Sequence, residues 1–304
     1  MSVSNTGLLP VAVSVVLYNT SQEYVQGVMR SVLASSLVGV LYIVDNSERP
    51  SFKSDFKEKR IRYIVPGHNL GYGAAHNLAL DLSRQEGFLY HLVLNPDIWF
   101  ESSVIDGICA WMDKHPKAGC VMPKVLYPDG RLQRLCKLYP TPFDLIVRRF
   151  IPLRGLQEYV NYKYELHFFN PVKATEVPLL AGCFMFLRTA IAETKVAFDK
   201  RYFLYLEDYD LCRQLRRRGW KLFYLPQWQI YHGFGKGSHH TFSLFIHHVF
   251  SAFRYLTKWG WFFDNERHAV NARFLARYWK RSAEQTDGVL PCHPVASQDN
   301  GHET

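Results

Sequence analysis

Short apolar runs alternate with amphipathic segments over roughly the first third of the chain, and this alternation restricts the fold more than any other feature. Apolar runs without polar alternation are typical of strands buried on both faces of a parallel sheet. Four such strands are predicted, at Val11–Tyr18, Val38–Val44, Ile61–Val65 and Leu89–Leu94. Helical spacing predicts the intervening helices at Glu23–Ser35, Tyr72–Arg84 and Ser102–Lys114. The order β-α-β-β-α-β-α predicts a doubly wound α/β domain with a mostly parallel sheet.

The second half of the chain has a less regular pattern, and residues 137–176 show no clear period. A turn at Tyr127–Gly130 is expected to close a hairpin. The predicted elements are a buried strand at Val177–Leu187, a helix at Asp208–Arg218 that ends at Gly219, and short strands at Lys221–Leu225 and Gln229–His232.

Composition narrows the class of protein without deciding it. The 304 residues include 36 Lys+Arg and 27 Asp+Glu, a net charge of +9, which suits nucleic acid, an anionic membrane surface, phosphate-bearing substrates, or simply a basic solvated surface. The six cysteines lack metal-ligand spacing and are expected to be reduced thiols. The longest apolar stretches are about half the length of a membrane span, and no secretory signal is recognisable. We therefore expect a cytoplasmic protein that could lie on a membrane without crossing it.

Polar residues follow the predicted strands at the positions where each strand ends. Asn19, Asp45, Asn69 and Asp97 lie just past a strand or in the loop after one. Because ligands of open α/β sheets bind beyond the carboxyl ends of the strands, these four residues predict a ligand site at one edge of the sheet.

Two glycine-rich loops could approach a phosphate group. The segment from Gly71 to His76 resembles the start of a dinucleotide fingerprint, but it ends in His and follows the third strand, so a Rossmann NAD site is rejected. It is either a turn that begins a helix or a loop whose amides face a phosphate. The segment Gly233–Ser238 lacks Walker A spacing; it is either a flexible loop or a diphosphate site that uses Lys236.

Carboxylates supply the remaining candidates for chemistry. Asp97 could bind a hard divalent cation, with His232 as a second ligand, although an Asp after Pro is usually a turn residue and a lone His is usually structural. Glu207, Asp208 and Asp210 stand at the start of a predicted helix. Acids at this position compensate the helix dipole, and one of them could also act as a general base.

A series of motifs in one order resembles the family 2 glycosyltransferases of GT-A fold, and within them the rhamnosyltransferases of bacterial lipopolysaccharide assembly. The resemblance covers roughly residues 10–260. The motifs are Val16–Asn19, Val44–Ser47, Asn69–Asn77, Leu94–Ile98, Ala181–Leu187, Tyr205–Leu211 and His232.

The resemblance implies a role for each matching residue. Asp208, paired with Glu207, corresponds to the catalytic base. Asp97 corresponds to the last acid of a DXD-type motif that coordinates Mg²⁺ or Mn²⁺ on the donor diphosphate, with Asn95 in place of the first acid, and His232 often completes that metal site. Asp45 corresponds to the residue that reads the pyrimidine base. The other implied donor-binding residues are Tyr18, Asn19, Asn46, Asn69, Gly71, Gly73, Asn77 and Lys236.

The C-terminal region is predicted to be a helical extension. The domain division predicted is a catalytic domain at 1–235 (nucleotide-sugar half about 10–125, acceptor half about 126–235), a membrane-associating helical segment at 236–285 and a disordered tail at 286–304. An apolar stripe recurs with helical spacing from Phe242 to Leu256, and residues 254–281 carry seven Lys+Arg and two acids. The stripe either packs on the catalytic domain or lies on anionic lipid.

The function implied by the resemblance is inverting transfer of L-rhamnose from dTDP-L-rhamnose to a lipopolysaccharide or lipid-linked saccharide acceptor, at the cytoplasmic face of the bacterial inner membrane. The alternatives are another donor such as a UDP-hexose, a nucleotide-sugar-binding protein without catalysis, and a nucleic-acid-binding protein. The carboxylates at the sheet edge would repel nucleic-acid phosphate, so no nucleic-acid partner is expected.

Overall fold

The apolar runs form the centre of a large twisted sheet, and the amphipathic segments between them form helices. The structure is a computed structural model that describes residues 9–50, 52, 56, 58–145, 154–233 and 242–285. The strands are β1 (Val11–Leu17), β2 (Val38–Asp45), β3 (Ile61–Ile64), β4 (Tyr90–Leu94), β5 (Ile98–Trp99), β6 (Ala118–Leu126), β7 (Cys136–Lys137), β8 (Thr175–Glu176), β9 (Leu179–Leu180), β10 (Phe184–Arg188) and β11 (Lys221–His232). The helices are α1 (Gln22–Leu33), α2 (Tyr72–Gln85), α3 (Ser103–Asp113), α4 (Arg154–Tyr164), α5 (Glu207–Arg217), α6 (Phe242–Trp259) and α7 (Asn265–Gln285), with a 3₁₀ helix at Thr189–Thr194.

Strand order in the main sheet is β3-β2-β1-β4-β10-β6-β11-β5, with β8 paired to β11. Strands β3, β2, β1 and β4 are parallel, whereas β10 runs antiparallel to both β4 and β6. The register places Leu17 opposite Asp45 and Val15 opposite Leu94. The carboxyl ends of β1, β2 and β4 therefore meet at one edge, as predicted from the sequence.

Both faces of this sheet are covered, which is why its central strands are largely apolar. The odd-numbered residues of β1, such as Val13 and Val15, belong to the large core that includes residues of α1 and α3. The even-numbered residues Ala12 and Val16 pack in a second cluster with Ala75 and Ala79 of α2. The alternation of side-chain direction along a strand thus gives each face its own helical layer, and the doubly wound α/β prediction is confirmed.

Several predicted elements differ from those observed. The single strand predicted at Val177–Leu187 is divided into β9 and β10, because the backbone at Ala181 and Gly182 turns aside to bind Leu135 and Asp208. The two strands predicted between residues 221 and 232 form one strand, β11, with a shift of register between Leu225 and Gln229. Strand β6 and helix α4 were not predicted, whereas α7 lies within the helical segment predicted at 236–285.

The apolar stripe predicted on α6 is not the face that packs on the catalytic part of the chain. The buried residues of this helix are Ser251, Tyr255, Leu256 and Trp259, with Ser251 Oγ donating to the Leu204 carbonyl at 2.8 Å. Stripe members Val249, Phe250 and Phe253 are exposed instead, and of the stripe residues whose burial the structure describes only Leu256 is buried. The structure therefore disagrees with the interpretation in which the stripe packs on the catalytic part, because Ser251 and Tyr255, which apolar periodicity does not register, occupy buried positions of this helix.

Two further sequence predictions bear on the compartment. The five cysteines that the structure describes are buried free thiols, and burial raises the pKa of each above its ordinary value. Within the described part of the chain, no helix combines the length and apolar character needed to cross a bilayer. Residues 286–304, predicted to be a disordered tail, lie outside the described residues.

Candidate active site

Residues that follow β4 and end β11 meet at the carboxyl edge of the sheet. Pairing of β5 with β11 sets His232 opposite Ile98, which brings the His232 side chain beside Asp97. His232 Nε2 lies 3.2 Å from Asp97 Oδ1 and 3.3 Å from Asn95 Nδ2. The Gly233 amide donates to the Asp97 carbonyl at 2.7 Å, which holds the two chain segments together.

Gln133 determines which nitrogen of His232 carries the proton. The Gln133 side-chain amide donates to the carbonyls of His232 at 2.9 Å and Leu126 at 3.4 Å, so its Oε1 must face His232 Nδ1, at 2.9 Å. An amide oxygen only accepts, hence Nδ1 donates its hydrogen and the neutral ring has its lone pair on Nε2. This hydrogen bond orients His232 as metal-ligating histidines are usually oriented.

The side chains of Asp97 and His232 could together hold a divalent cation whose other ligands come from a bound substrate. Asp97 offers carboxylate oxygens and His232 offers Nε2, and no cluster of three or more His, Cys, Asp or Glu suited to a metal is found among the described residues. Mg²⁺ is commonly bound through one or two protein ligands together with substrate phosphates and water. The site therefore fits a cation that binds with a diphosphate better than one held by protein alone.

Asp208 lies in the first turn of α5, across from the metal-ligand candidates. Its Oδ2 accepts the Gly182 amide at 2.7 Å and its Oδ1 accepts the Tyr209 amide at 2.9 Å. A Cβ on residue 182 would lie 3.2 Å from Asp208 Cβ, so the close approach favours glycine. Burial raises the pKa of Asp208 to about 6, against the opposing effect of the two amides and of Lys137.

Glu207 has a different state from its neighbour. It is buried, and its Oε2 has no hydrogen-bond partner in the described part of the chain. Burial, followed by the charge of Asp208, raises the pKa of Glu207 well above its ordinary value. Burial therefore favours the protonated form of Glu207, and Asp208, which also accepts two backbone amides, is the better candidate for a base.

Tyr72 connects the two groups of residues and was not found by sequence reasoning. Its hydroxyl lies 2.9 Å from Asn95 Oδ1 and 2.7 Å from the Gly182 carbonyl oxygen. Burial raises the pKa of Tyr72 well above its ordinary value, so the phenol keeps its proton as a donor. Gly182 therefore has contacts on both sides: its amide donates to Asp208, and its carbonyl accepts from Tyr72, which also contacts Asn95.

The predicted nucleotide end of the site lies after β2. Asp45 accepts hydrogen bonds from the Tyr63 hydroxyl and from the Ser47 amide, and it is buried. Asn46 Nδ2 donates to the Gly71 carbonyl at 3.1 Å, which fastens the glycine loop to the end of β2. Gly71 has a φ of +80°, and a Cβ there would lie 2.3 Å from the Phe203 carbonyl oxygen, so only glycine fits.

The remaining predicted donor-binding residues differ in accessibility. Tyr18 is exposed, and Asn19, with a φ of +50°, donates its amide to Ser47 Oγ at 2.8 Å. Asn69 Oδ1 accepts the Gly71 amide at 2.9 Å and so shapes the loop. Lys236 lies outside the described residues.

Gly73 and Asn77 face the protein interior. Asn77 is buried; its Nδ2 donates to the Phe198 carbonyl at 2.7 Å and its Oδ1 accepts the Phe198 amide at 3.0 Å. A Cβ on Gly73 would lie 2.8 Å from Phe198 Cβ. Both residues join α2 to the segment before α5 and so support the glycine loop indirectly. The two polar atoms of the Asn77 side chain are already bonded to Phe198, so they are not available to a nucleotide sugar.

Comparison with known proteins gives sequence relatives and fold relatives. A curated N-acetylglucosaminyl-diphospho-decaprenol L-rhamnosyltransferase of Mycobacterium tuberculosis is 27% identical over 184 residues, which cover 57% of this chain and only 58% of that protein. The rhamnosyltransferase WbbL of Escherichia coli strain K12 is 38% identical over 225 residues, covering 72% of this chain and 81% of that protein.

Solved structures share the fold at low sequence identity. Staphylococcus aureus TarS 1–349 in complex with UDP matches with a TM-score of 0.53 and 16% identity, covering 92% of this chain and 75% of that one. GalNAc-T7 with UDP, GalNAc and Mn²⁺ matches with a TM-score of 0.54 and 13% identity, covering 76% and 44%. Residues 10–248 match the family described as "Glycosyltransferase like family 2", and the chain belongs to this family.

Proposed function

We propose that this glycosyltransferase moves L-rhamnose from dTDP-L-rhamnose, with inversion, to a lipid-linked saccharide of lipopolysaccharide assembly (core oligosaccharide or O-antigen), at the cytoplasmic face of the bacterial inner membrane. The observation that carries the proposal is the juxtaposition, through Tyr72 and Gly182, of Asp208 with the Asp97–His232 pair. The names of the two rhamnosyltransferase relatives support the sugar, and the decaprenol-linked acceptor of the mycobacterial protein supports the lipid.

The chemistry of the transfer follows from the states of the two acids. Asp208, ionised above about pH 6, accepts the proton of the acceptor hydroxyl. The oxygen of that hydroxyl forms a bond to the anomeric carbon while the bond from that carbon to the diphosphate oxygen breaks, so configuration inverts in one displacement. A divalent cation bound with Asp97 and His232 would supply stabilisation of the charge that develops on the leaving diphosphate.

A donor panel tests the proposal directly. Purified protein is incubated with dTDP-L-rhamnose, UDP-glucose or UDP-N-acetylglucosamine, with Mg²⁺ or EDTA, and both nucleotide diphosphate release and thermal stabilisation by the donor are measured. We expect dTDP-L-rhamnose to be preferred, stabilisation to need Mg²⁺, and Asp208→Asn to lose transfer while it keeps donor binding. Preference for a UDP-sugar would contradict dTDP-L-rhamnose as the donor. Thermal stabilisation by a donor without any transfer to lipid-linked saccharides would contradict the catalytic role.

A further inference from the structure

The connection between α6 and α7 displays aromatic side chains that the catalytic part does not cover. Phe262 and Phe263 are 77% and 96% exposed, and Trp261 beside them is partly exposed. Phe253 of α6 contacts Trp261 with ring centroids 5.4 Å apart, and Phe250 lies one helical turn before it on the same side. We name these five exposed aromatic residues the aromatic tip.

Buried polar groups hold the backbone of the tip in place. The Arg267 guanidinium is buried and donates to the carbonyls of Gly260 at 3.1 Å, Trp261 at 2.8 Å and Phe262 at 3.3 Å. Asp264 Oδ1 accepts the Arg267 amide at 2.9 Å, which caps the first turn of α7. The loop is therefore rigid where its side chains are most exposed.

A second arginine anchors this network in the catalytic part. Arg213 of α5 has no exposed side-chain surface and binds both oxygens of Asp264, at 2.6 and 2.9 Å. Its guanidinium also lies 4.3 Å from the ring centre of Trp259 and 4.5 Å from that of Tyr139. Because α5 begins with the candidate catalytic acids, the tip has a fixed position relative to the active site.

The charge around the tip is of one sign. Within residues 244–279, the exposed residues with a full charge are Arg254, Lys258, Arg273 and Arg277, all basic, and of these Lys258 is paired with Asp199 and Asp210. The acids of this stretch, Asp264 and Glu266, are engaged by arginines of α5. Such a surface complements anionic lipid headgroups and would repel a second copy of itself.

We propose that the aromatic tip inserts into the interface of an anionic lipid bilayer and docks the protein there. Aromatic side chains partition to the level of the lipid headgroups, and flanking Arg and Lys add attraction to anionic lipid. This inference rests in part on the proposed function, since a lipid-linked acceptor makes the location useful, but the docking step requires no transfer activity.

Vesicle co-sedimentation of the full chain tests the docking surface. The variants are the double substitution Phe262→Ser and Phe263→Ser, a control Tyr159→Ser on α4, whose ring is 65% exposed but remote in sequence, and Asp208→Asn. Vesicles contain phosphatidylcholine with or without about one third phosphatidylglycerol. Since all three substituted aromatic side chains are exposed, we expect the melting temperatures to match that of the wild type.

We expect the double variant to lower the partition coefficient onto anionic vesicles at least tenfold, while Tyr159→Ser and Asp208→Asn bind like the wild type. Retention of wild-type binding by the double variant would refute the proposal. The proposal would also be refuted if the wild type were a dimer, the double variant a monomer, and vesicle binding the same for both, because the tip would then be a contact between two copies. Failure of the proposed function would be seen separately, as a wild-type protein that binds vesicles but shows no preference for dTDP-L-rhamnose.

Discussion

The two adjacent acids that begin α5 should respond differently to removal of their charge. The pKa of Asp208 is raised to about 6, whereas that of the more deeply buried Glu207 is raised well above its ordinary value. At pH 7.5 a group of pKa 6 is about 97% ionised, so Asp208 is available as a base, whereas burial favours the protonated form of Glu207. Asp208→Asn and Glu207→Gln, both nearly isosteric, test this assignment.

The expected losses in rate differ by orders of magnitude. A positioned general base contributes roughly 10²- to 10⁴-fold, so Asp208→Asn should lose about 3 to 5 kcal/mol of transition-state stabilisation. Glu207→Gln replaces a protonated carboxyl by an amide of the same size and charge, and we expect transfer within about threefold of wild type. Initial rates of nucleotide diphosphate release measure both.

The pH dependence gives the second part of this test. Because only ionised Asp208 accepts a proton, kcat/KM should be level above about pH 6 and fall tenfold for each unit of pH below it. Glu207→Gln should keep this acidic limb, and the residual activity of Asp208→Asn should lack it. If Glu207→Gln lost as much activity as Asp208→Asn, or lost the acidic limb, Glu207 would be the base and the assignment would be wrong.

Protein stability should reveal the proton on Glu207 independently. A carboxyl whose pKa is raised on folding stabilises the fold fully below its unfolded pKa, and this contribution is lost as pH rises towards the folded value. Glu207→Gln removes that loss, so its melting temperature should increasingly exceed that of the wild type as pH is raised from 5 to 8. Parallel melting curves of the two proteins across this range would contradict a protonated Glu207.

Three further substitutions test the contacts around the site. Tyr72→Phe should lower kcat about tenfold with little change in donor KM, because it removes the hydroxyl that connects Gly182, whose amide binds Asp208, to Asn95. Equal changes in kcat and KM would indicate a merely structural role. Gln133→Leu should weaken the affinity for Mn²⁺, titrated through donor stabilisation, by 10- to 100-fold, since His232 loses its orienting acceptor. Asp264→Asn should cost up to about 3 to 5 kcal/mol in urea unfolding, because buried Arg213 then keeps only the partly exposed Glu266 as a counter-charge.

The sequence predicted the parts of the site that follow from the parallel sheet. Once β1, β2 and β4 are recognised as buried strands, their polar ends must gather at one edge, and Asp45 and Asp97 do so. His232 is brought to the same edge by an antiparallel pair between β5 and β11. The two residues of β5 are too few to show a period, so this juxtaposition came from the family resemblance and not from the pattern.

Contacts between distant residues account for what was missed. Gln133 and His232 are separated by 99 positions, and Tyr72 and Gly182 by 110, so no local pattern connects them. Each of these side chains also looks ordinary in its surroundings: a glutamine after a turn and a tyrosine at the start of a helix. Their roles appear only when the loops are placed, because the hydrogen-bond partners are mostly backbone atoms or the ends of other elements.

The net charge is the sequence feature whose interpretation changes most. The prediction of electrostatic attachment counted every basic residue from 254 to 281 as available to lipid. Lys258, however, binds Asp199 at 2.8 Å and Asp210 at 2.7 Å, and Arg267 is buried against loop carbonyls. These two cations therefore organise the protein itself, and Arg267 holds up the aromatic tip. If the tip docks on a bilayer, apolar insertion must carry a larger share of the binding than the charge count suggests, and the charge acts in large part through the rigidity that it gives to the loop.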